Sequence, residues 1–445
     1  MRESEKTMHE KINVCLMNDS FPPVIDGVSN AVLNYARIIQ EKHGNAIVVT
    51  PQHPQAKDDY PFRVLRYPSI KTPKLADYRV GYPFSPAIFR QLSRQRIDII
   101  HLHCPFTSAI YARVLRSAIN VPVVFTYHTK YDIDIKNVIS SKGIQKSACN
   151  IILNNIEACD EVWVVSRGAG ENLRSLGYQG DYIIMRNGVD FPKGRVPDDE
   201  AEKLRASLRI PPDDIIFLFV GRLMWYKGIG IILDSLKKIR DAGVKYKMIF
   251  VGEGLDEPEI IEYAQKTGVY PDCIFTGAVR DREKLRAYYS LADLFLFPST
   301  FDTNGLVVGE AAACGLPSML VAGSSAAEAV VDRRNGLLIE ENPDSMAEVL
   351  LKVCGNRDFL RQIGRRAMDE IYVSWEDSVA RAVERYGAVL DRYREGSCCR
   401  EPVRLDEFYH GMANVFKSIE RARIPNRRLY RKGIGSVSLK LRRKR

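Results

Sequence analysis

At 445 residues with 45% hydrophobic content, the chain exceeds what one hydrophobic core usually serves, so two domains are expected. No window approaches the ~20 apolar residues that span a bilayer, and the start Met-Arg-Glu-Ser-Glu-Lys lacks the apolar core of a signal peptide, so a cytoplasmic protein is expected. The net charge of +10 resides in residues 421–445, which hold 11 Lys or Arg and no acid; charge alone does not choose between a solvated tail, a nucleic-acid contact and a membrane-surface contact.

From residue 11 to about 190, short β-branched runs alternate with helical patterns: Ile12–Met17, Ala46–Thr50, Ile97–Leu102, Val121–Thr126, Glu161–Val165 and Ile183–Met185. This pattern predicts a parallel sheet flanked by helices. After the first run, Phe21 to Asn30 enters a helix, where Gly27 could let backbone approach a bound sugar or phosphate. Thr126-Tyr127-His128-Thr129 ends another strand and puts His128 on the ligand side of the sheet. His101 and His103, within or just after an apolar strand, read as structural. The nine cysteines have no zinc-ligand spacing, so reduced thiols are expected.

Phe191 to Pro212, with five prolines and glycines around a short charged helix from about Pro197 to Leu208, reads as a linker. The grammar then restarts with Ile215–Val220, Lys247–Val251, Cys273–Gly277, Leu294–Phe297, Ser318–Val321 and Gly336–Ile339. Arg222 and Lys227 follow the first of these runs. Two cations at a strand exit suit a diphosphate, the Arg gripping oxygens bidentately and the Lys acting as a point charge. They read equally well, taken alone, as solvent-facing bases beside a turn. No P-loop spacing is present, and Gly252-Glu253-Gly254 lacks the third glycine of a dinucleotide fingerprint, so it reads as a tight turn.

Ser299 to Pro317 holds two carboxylates, Asp302 and Glu310, in a small and apolar setting. Eight residues correspond to about two helical turns plus 80°, so the two do not share a face: Asp302 falls in the loop and Glu310 about a turn and a half inside the helix. Backbone N–H groups near Gly305 could receive a phosphate, with the carboxylates accepting sugar hydroxyls. The plain alternative is a helix cap at Asp302 and a surface acid at Glu310. Further on, Ser374 reads as the cap of a helix that carries Asp377 at its third position.

The order of these loops resembles the retaining glycosyltransferases of the GT-B fold, specifically the family 4 group. The resemblance runs from about residue 11 to 390, through Pro22–Val28, Thr126–Thr129, Val165-Ser166 with Asn187–Asp190, Gly221–Leu223 with Lys227-Gly228, Gly252–Gly254, Phe275–Val279 and the Ser299–Pro317 stretch. It implies an α/β architecture of two doubly wound Rossmann-like domains with parallel sheets facing across a cleft. The expected domains are 1–195, acceptor-binding, and 208–373, nucleotide-sugar-binding, with 374–394 crossing back and coupling donor binding to closure. Residues 395–445 form an amphipathic and basic extension.

By that resemblance Arg222 and Lys227 would bind the donor diphosphate, Glu310 the ribose, and backbone at Asn304, Gly305, Leu306 and Val307 the sugar and phosphates. Gly27 and Val279 would also line the donor site, and His128 would contact the donor sugar near the reacting centre. The family places Glu where this chain has Asp302, one methylene shorter, and Thr-Phe-Gly where it has Thr303-Asn304-Gly305. The nucleotide sugar is a cosubstrate; no cofactor and no metal site are expected.

His128 to Asp132, including Tyr131 as an acceptor contact, is similar to the subgroup that glucosylates diacylglycerol. A UDP-glucose-like donor and a lipid or glycan acceptor are therefore the expected partners, and nucleic acid is not among them. Leu405, Phe408, Met412, Val415, Phe416 and Ile419 recur at helical spacing ahead of the basic run, so 405–445 could rest on an anionic membrane or, equally, pack on the body. Competing readings are glycan assembly, a nucleotide-sugar epimerase and a nonenzymatic nucleotide-binding membrane adaptor.

Overall fold

The computed structural model describes residues 11–24, 26–71, 78–132, 135, 140–303, 305–397 and 405–423. Its first sheet has seven strands: β1 (Ile12–Met17), β2 (Gly44–Pro51), β3 (Arg63–Tyr67), β6 (Ile99–Leu102), β7 (Val123–Tyr127), β8 (Glu161–Val164) and β9 (Ile183–Ile184). A small antiparallel pair, β4 (Ser69–Lys71) and β5 (Arg79–Gly81), stands apart from it. The order across the sheet is β3-β2-β1-β6-β7-β8-β9.

The second sheet has six strands: β10 (Ile215–Val220), β11 (Tyr246–Val251), β12 (Cys273–Phe275), β13 (Leu294–Phe297), β14 (Ser318–Val321) and β15 (Leu337–Ile339). They run parallel in the order β12-β11-β10-β13-β14-β15. Strand order reverses between β10 and β13, and at such a switch point the loops leaving neighbouring strands diverge and open a crevice. β10 and β13 are buried along their whole length, which is why they read as unbroken apolar runs rather than as alternations.

Expected and observed strands agree to within two residues at nearly every end. β3 went unpredicted because Arg-Val-Leu-Arg-Tyr is a weak apolar run; its Arg66 is tied to Asp58 at 2.8 Å and to the Pro51 and Pro22 carbonyls. The linker helix forms at Asp198–Ser207 with no residue buried. Ser374 caps Trp375–Arg394 as expected: its hydroxyl accepts from the Asp377 N–H at 3.0 Å and donates to the Asp377 carboxylate at 2.7 Å.

Residue contacts divide the chain into two compact units. The first takes the described residues of Met1–Thr126, Ile135–Val162 and Tyr386–Arg445; the second takes those of Tyr127–Asp134 and Trp163–Arg385. His101, in the first unit, is buried with its ring nitrogens 2.5 Å from the Tyr386 hydroxyl and 2.7 Å from the Thr126 hydroxyl, a packing role.

The helix Asp406–Arg423 packs in the first unit against Thr107–Ile119 and Pro86–Ser93. Its buried seam is Tyr409, Ala413 and Phe416, with Phe416 5.1 Å from Phe89 and Arg113 lying 4.4 Å over the Tyr409 ring. The expected stripe is therefore split: Phe416 faces inward, whereas Leu405, Phe408 and Val415 are exposed. Arg113 explains the rotation, since it pairs with Asp406 at 2.9 Å and so fixes which side of the helix meets the body. The basic run beyond residue 423 lies outside the described residues.

Candidate functional site

Nine of the expected donor-site residues fall in the second unit and are described: His128, Arg222, Lys227, Val279, Asp302, Gly305, Leu306, Val307 and Glu310. Asn304 lies outside the described residues. Gly27 belongs to the first unit, where it opens the helix Gly27–Ile38. There Asp26 already accepts the Val28 and Ser29 N–H groups at 2.8 and 2.7 Å.

The loops that leave β10 and β13 are brought together by Gly228. Its φ is 77°, and an added Cβ would lie 2.4 Å from the Pro298 carbonyl oxygen, so only glycine admits this approach. The preceding 3-10 turn, Trp225–Lys227, thereby sets Lys227 against the second loop. Lys227 is 7% exposed, and its Nζ donates to both Asp302 oxygens, at 2.6 and 2.8 Å. The Ser299 hydroxyl donates to Asp302 Oδ2 at 2.6 Å.

The sequence reading treated Lys227 as a phosphate ligand and Asp302 as a separate acceptor of sugar hydroxyls. In the structure they are each other's partner. Arg222, by contrast, is exposed and has no hydrogen-bond or ion-pair partner among the described residues. One expected phosphate cation is thus available, and the other is neutralised internally.

The Asp302 loop is fastened at its far end. The Thr303 hydroxyl donates to the His128 carbonyl at 2.8 Å, and the Ser166 hydroxyl donates to the Thr303 carbonyl. His128 itself is buried, which pushes its imidazole pKa down to about 3, so the ring is neutral at any physiological pH. Tyr131 is buried with its ring 5.4 Å from Tyr127, a packing position.

Gly305, at φ 54°, turns the chain into the helix Leu306–Ala313 without a side-chain cap. Val308 and Gly309 donate back to the Gly305 carbonyl, and the Leu306 and Val307 N–H groups have no acceptor among the described residues. A cavity of about 70 Å³ adjoins this helix start, lined among others by Ser166, Asn187, Gly305, Leu306, Ser325 and Glu328. Glu328 accepts the Arg167 and Gly168 N–H groups at 2.7 and 2.5 Å.

Glu310 is buried in the same helix rather than standing on the surface. Its Oε1 accepts from Arg282 Nη2 at 2.8 Å and its Oε2 from the Tyr289 hydroxyl at 2.9 Å. Burial raises its pKa, while the Arg282 charge and both hydrogen bonds oppose that rise. Val279 is half-buried against the core of this unit. The Gly252 N–H donates to the Gly277 carbonyl at 3.0 Å, a bridge to the end of the neighbouring strand, and the chain turns just after, at Leu255-Asp256, where the Gly254 carbonyl accepts the Glu257 N–H at 3.2 Å.

Sequence reasoning missed Arg282, Tyr289 and Ser299. Arg282 sits in the run Arg-Asp-Arg-Glu-Lys, which looks like a solvated helix start. Ser299 could have been found, because it lies three residues before Asp302 at the edge of the same strand exit.

Two family models match. Glycosyltransferase Family 4 covers residues 25–192, and Glycosyl transferases group 1 covers residues 200–369. Among curated relatives, the chain is 23% identical to an alpha-monoglucosyldiacylglycerol synthase of Acholeplasma laidlawii, over 80% of this chain and 92% of that protein. It is 29% identical to a D-inositol 3-phosphate glycosyltransferase of Nocardia farcinica, over 61% of this chain and 62% of that protein. In fold it is similar to the sucrose-phosphate synthase of Thermosynechococcus elongatus, with a TM-score of 0.68 at 20% identity over 86% of this chain and 100% of that one. Anabaena HepE in complex with UDP-glucose gives 0.64 at 16% identity over 85% and 99%.

Proposed function

Because the chain belongs to the GT-B glycosyltransferases, a family 4 domain followed by a group 1 domain, we propose that it moves a hexose with retention from a nucleotide sugar of the UDP-glucose type to a hydroxyl of a membrane lipid such as diacylglycerol. The observation that carries this reading is the cluster at the switch point of the second sheet: exposed Arg222, the Lys227–Asp302–Ser299 group and buried Glu310. Arg222 and Lys227 are the cations for a diphosphate, Asp302 the acceptor for sugar hydroxyls, and Glu310 the acceptor for ribose. The Leu306 and Val307 N–H groups add donors at a helix start, where phosphate oxygens are favoured.

In the proposed reaction the acceptor oxygen attacks the anomeric carbon from the face the diphosphate leaves. The C–O bond to phosphate breaks as the C–O bond to the acceptor forms, and the acceptor proton passes to the departing phosphate oxygen. Arg222 and Lys227 stabilise the charge that grows on that oxygen. His128, neutral at working pH, offers a hydrogen bond to the donor sugar rather than a charge.

The lipid acceptor is supported by the diacylglycerol-linked relatives, and the inositol-phosphate relatives favour a soluble or glycan acceptor as the second reading. No helix among the described residues is long and apolar enough to cross a membrane, so a peripheral position on the membrane surface is part of the proposal. The test is incubation with UDP-, ADP- and GDP-hexoses and a lipid extract, followed by mass spectrometry. A hexosyl lipid formed from one donor is expected. Hexosyl-inositol phosphate or an extended glycan would establish the second reading, and nucleotide binding without any transfer would leave an adaptor.

A further inference from the structure

Arg282 and Tyr289 hold Glu310 from a helix that none of the donor-site motifs includes. They sit seven residues apart on Arg282–Leu291, about 20° short of two full turns, and so lie on one face of it. Arg282 donates to one Glu310 oxygen at 2.8 Å and Tyr289 to the other at 2.9 Å. The Arg282 guanidinium is itself fixed from behind: it lies 4.3 Å from the Phe191 ring centroid and 3.7 Å from Asp190. A carboxylate oxygen accepts up to two hydrogen bonds, so each Glu310 oxygen keeps a lone pair for a ligand hydroxyl.

We propose that Arg282 is a positioning residue that, with Tyr289, fixes the Glu310 carboxylate as an oriented double acceptor for the two ribose hydroxyls and thereby sets a preference for ribonucleotide over deoxyribonucleotide donors. The proposal rests on the reading of Glu310 as the ribose contact. An undirected carboxylate would lose one of its two acceptors on rotation. A neutral one would turn one acceptor into a donor.

The surroundings favour a charge supplied by Arg282. Burial pushes Glu310 towards protonation and Asp190 adds to that push, whereas Arg282 and the Tyr289 hydroxyl oppose it. Tyr289 is held far above its usual range by burial and by Glu310, so it remains a donor. Cys314, a further titratable neighbour, is raised to about 11 by burial, with Arg286 beside it. Arg282 is thus the cation placed against the Glu310 carboxylate, and its removal raises the pH at which Glu310 takes up a proton.

The experiment is titration calorimetry of the full chain between pH 5 and 8 with UDP, ADP and GDP, and then with the 2′-deoxy and 3′-deoxy forms of the one that binds tightest. Wild type is expected to prefer the ribose form by about tenfold or more, and Arg282→Gln to lose about tenfold in ribonucleotide affinity while its ribose-to-deoxyribose ratio falls towards one. In that variant the loss of affinity on acidification begins at a higher pH than in wild type. Arg282→Lys keeps a charge without the fork and should retain the wild-type pH profile with a reduced ratio; it serves where Arg282→Gln does not fold. An unchanged ratio and pH profile in Arg282→Gln would overturn the proposal. The Glu310→Gln arm separates the two levels: if it keeps the ribose preference, or if no nucleotide binds wild type, the ribose reading of Glu310 fails and Arg282 falls with it.

Discussion

At the scale of single residues, the Lys227–Asp302 pair changes what donor binding has to accomplish. A diphosphate that takes Lys227 as a ligand competes with a carboxylate already 2.6 Å away, and the carboxylate so released is then available to sugar hydroxyls. On the function proposed above, phosphate and sugar contacts would be linked through one exchange of partners. Asp302→Asn is predicted to raise affinity for free UDP by about fivefold to tenfold, because the competitor is gone, and to lower kcat by a similar factor. The unliganded variant should also unfold at lower temperature, since it leaves a buried lysine without its anion, and UDP should recover the loss. Calorimetry, steady-state kinetics and thermal unfolding check the three parts; weaker UDP binding would mean that Asp302 orients Lys227 rather than competing for it. The pairing was not legible in the sequence, because Lys227 and Asp302 are 75 residues apart and meet only where Gly228 lets two loops touch. What was legible is the position of each at a strand exit, since short apolar runs announce the ends of buried strands.

At the scale of elements, the strands and the Ser374 cap could be read directly because they depend on local pattern: a β-branched run for a buried strand, and a hydroxyl three residues before an acid for a helix start. The orientation of Asp406–Arg423 could not. Apolar residues recur on more than one side of that helix, and periodicity does not say which side meets a neighbour. Arg113, from a helix about 300 residues earlier, decides it by pairing with Asp406 and covering Tyr409. Phe416→Ala is predicted to weaken the docking of this helix by ~3 kcal/mol, through lost burial and the cavity it leaves. Hydrogen exchange should then lose protection over 406–419 while the second unit is unaffected. Unchanged protection would show that Phe416 does not secure the helix.

At the scale of the whole molecule, the same docking narrows what the tail can contribute at a membrane. The inward seam of Tyr409, Ala413 and Phe416 is committed to the body, so anionic lipid would meet exposed Leu405, Phe408 and Val415 together with the basic residues after 423. The full chain is predicted to float with phosphatidylglycerol vesicles and not with phosphatidylcholine vesicles, and a chain ending at residue 423 is predicted to lose that binding while keeping its docked helix. Equal flotation of the two chains would remove the basic run from the account. By itself the sequence determined the two parallel sheets, the family, the strand exits that carry Arg222, Lys227 and Asp302, and the helix that carries Glu310, because burial periodicity and turn chemistry are local properties of a chain. Only the tertiary structure decided that Asp302 answers Lys227 and that Glu310 is buried between Arg282 and Tyr289. Which charge faces which depends on the approach of segments distant in sequence, and no local pattern records that approach.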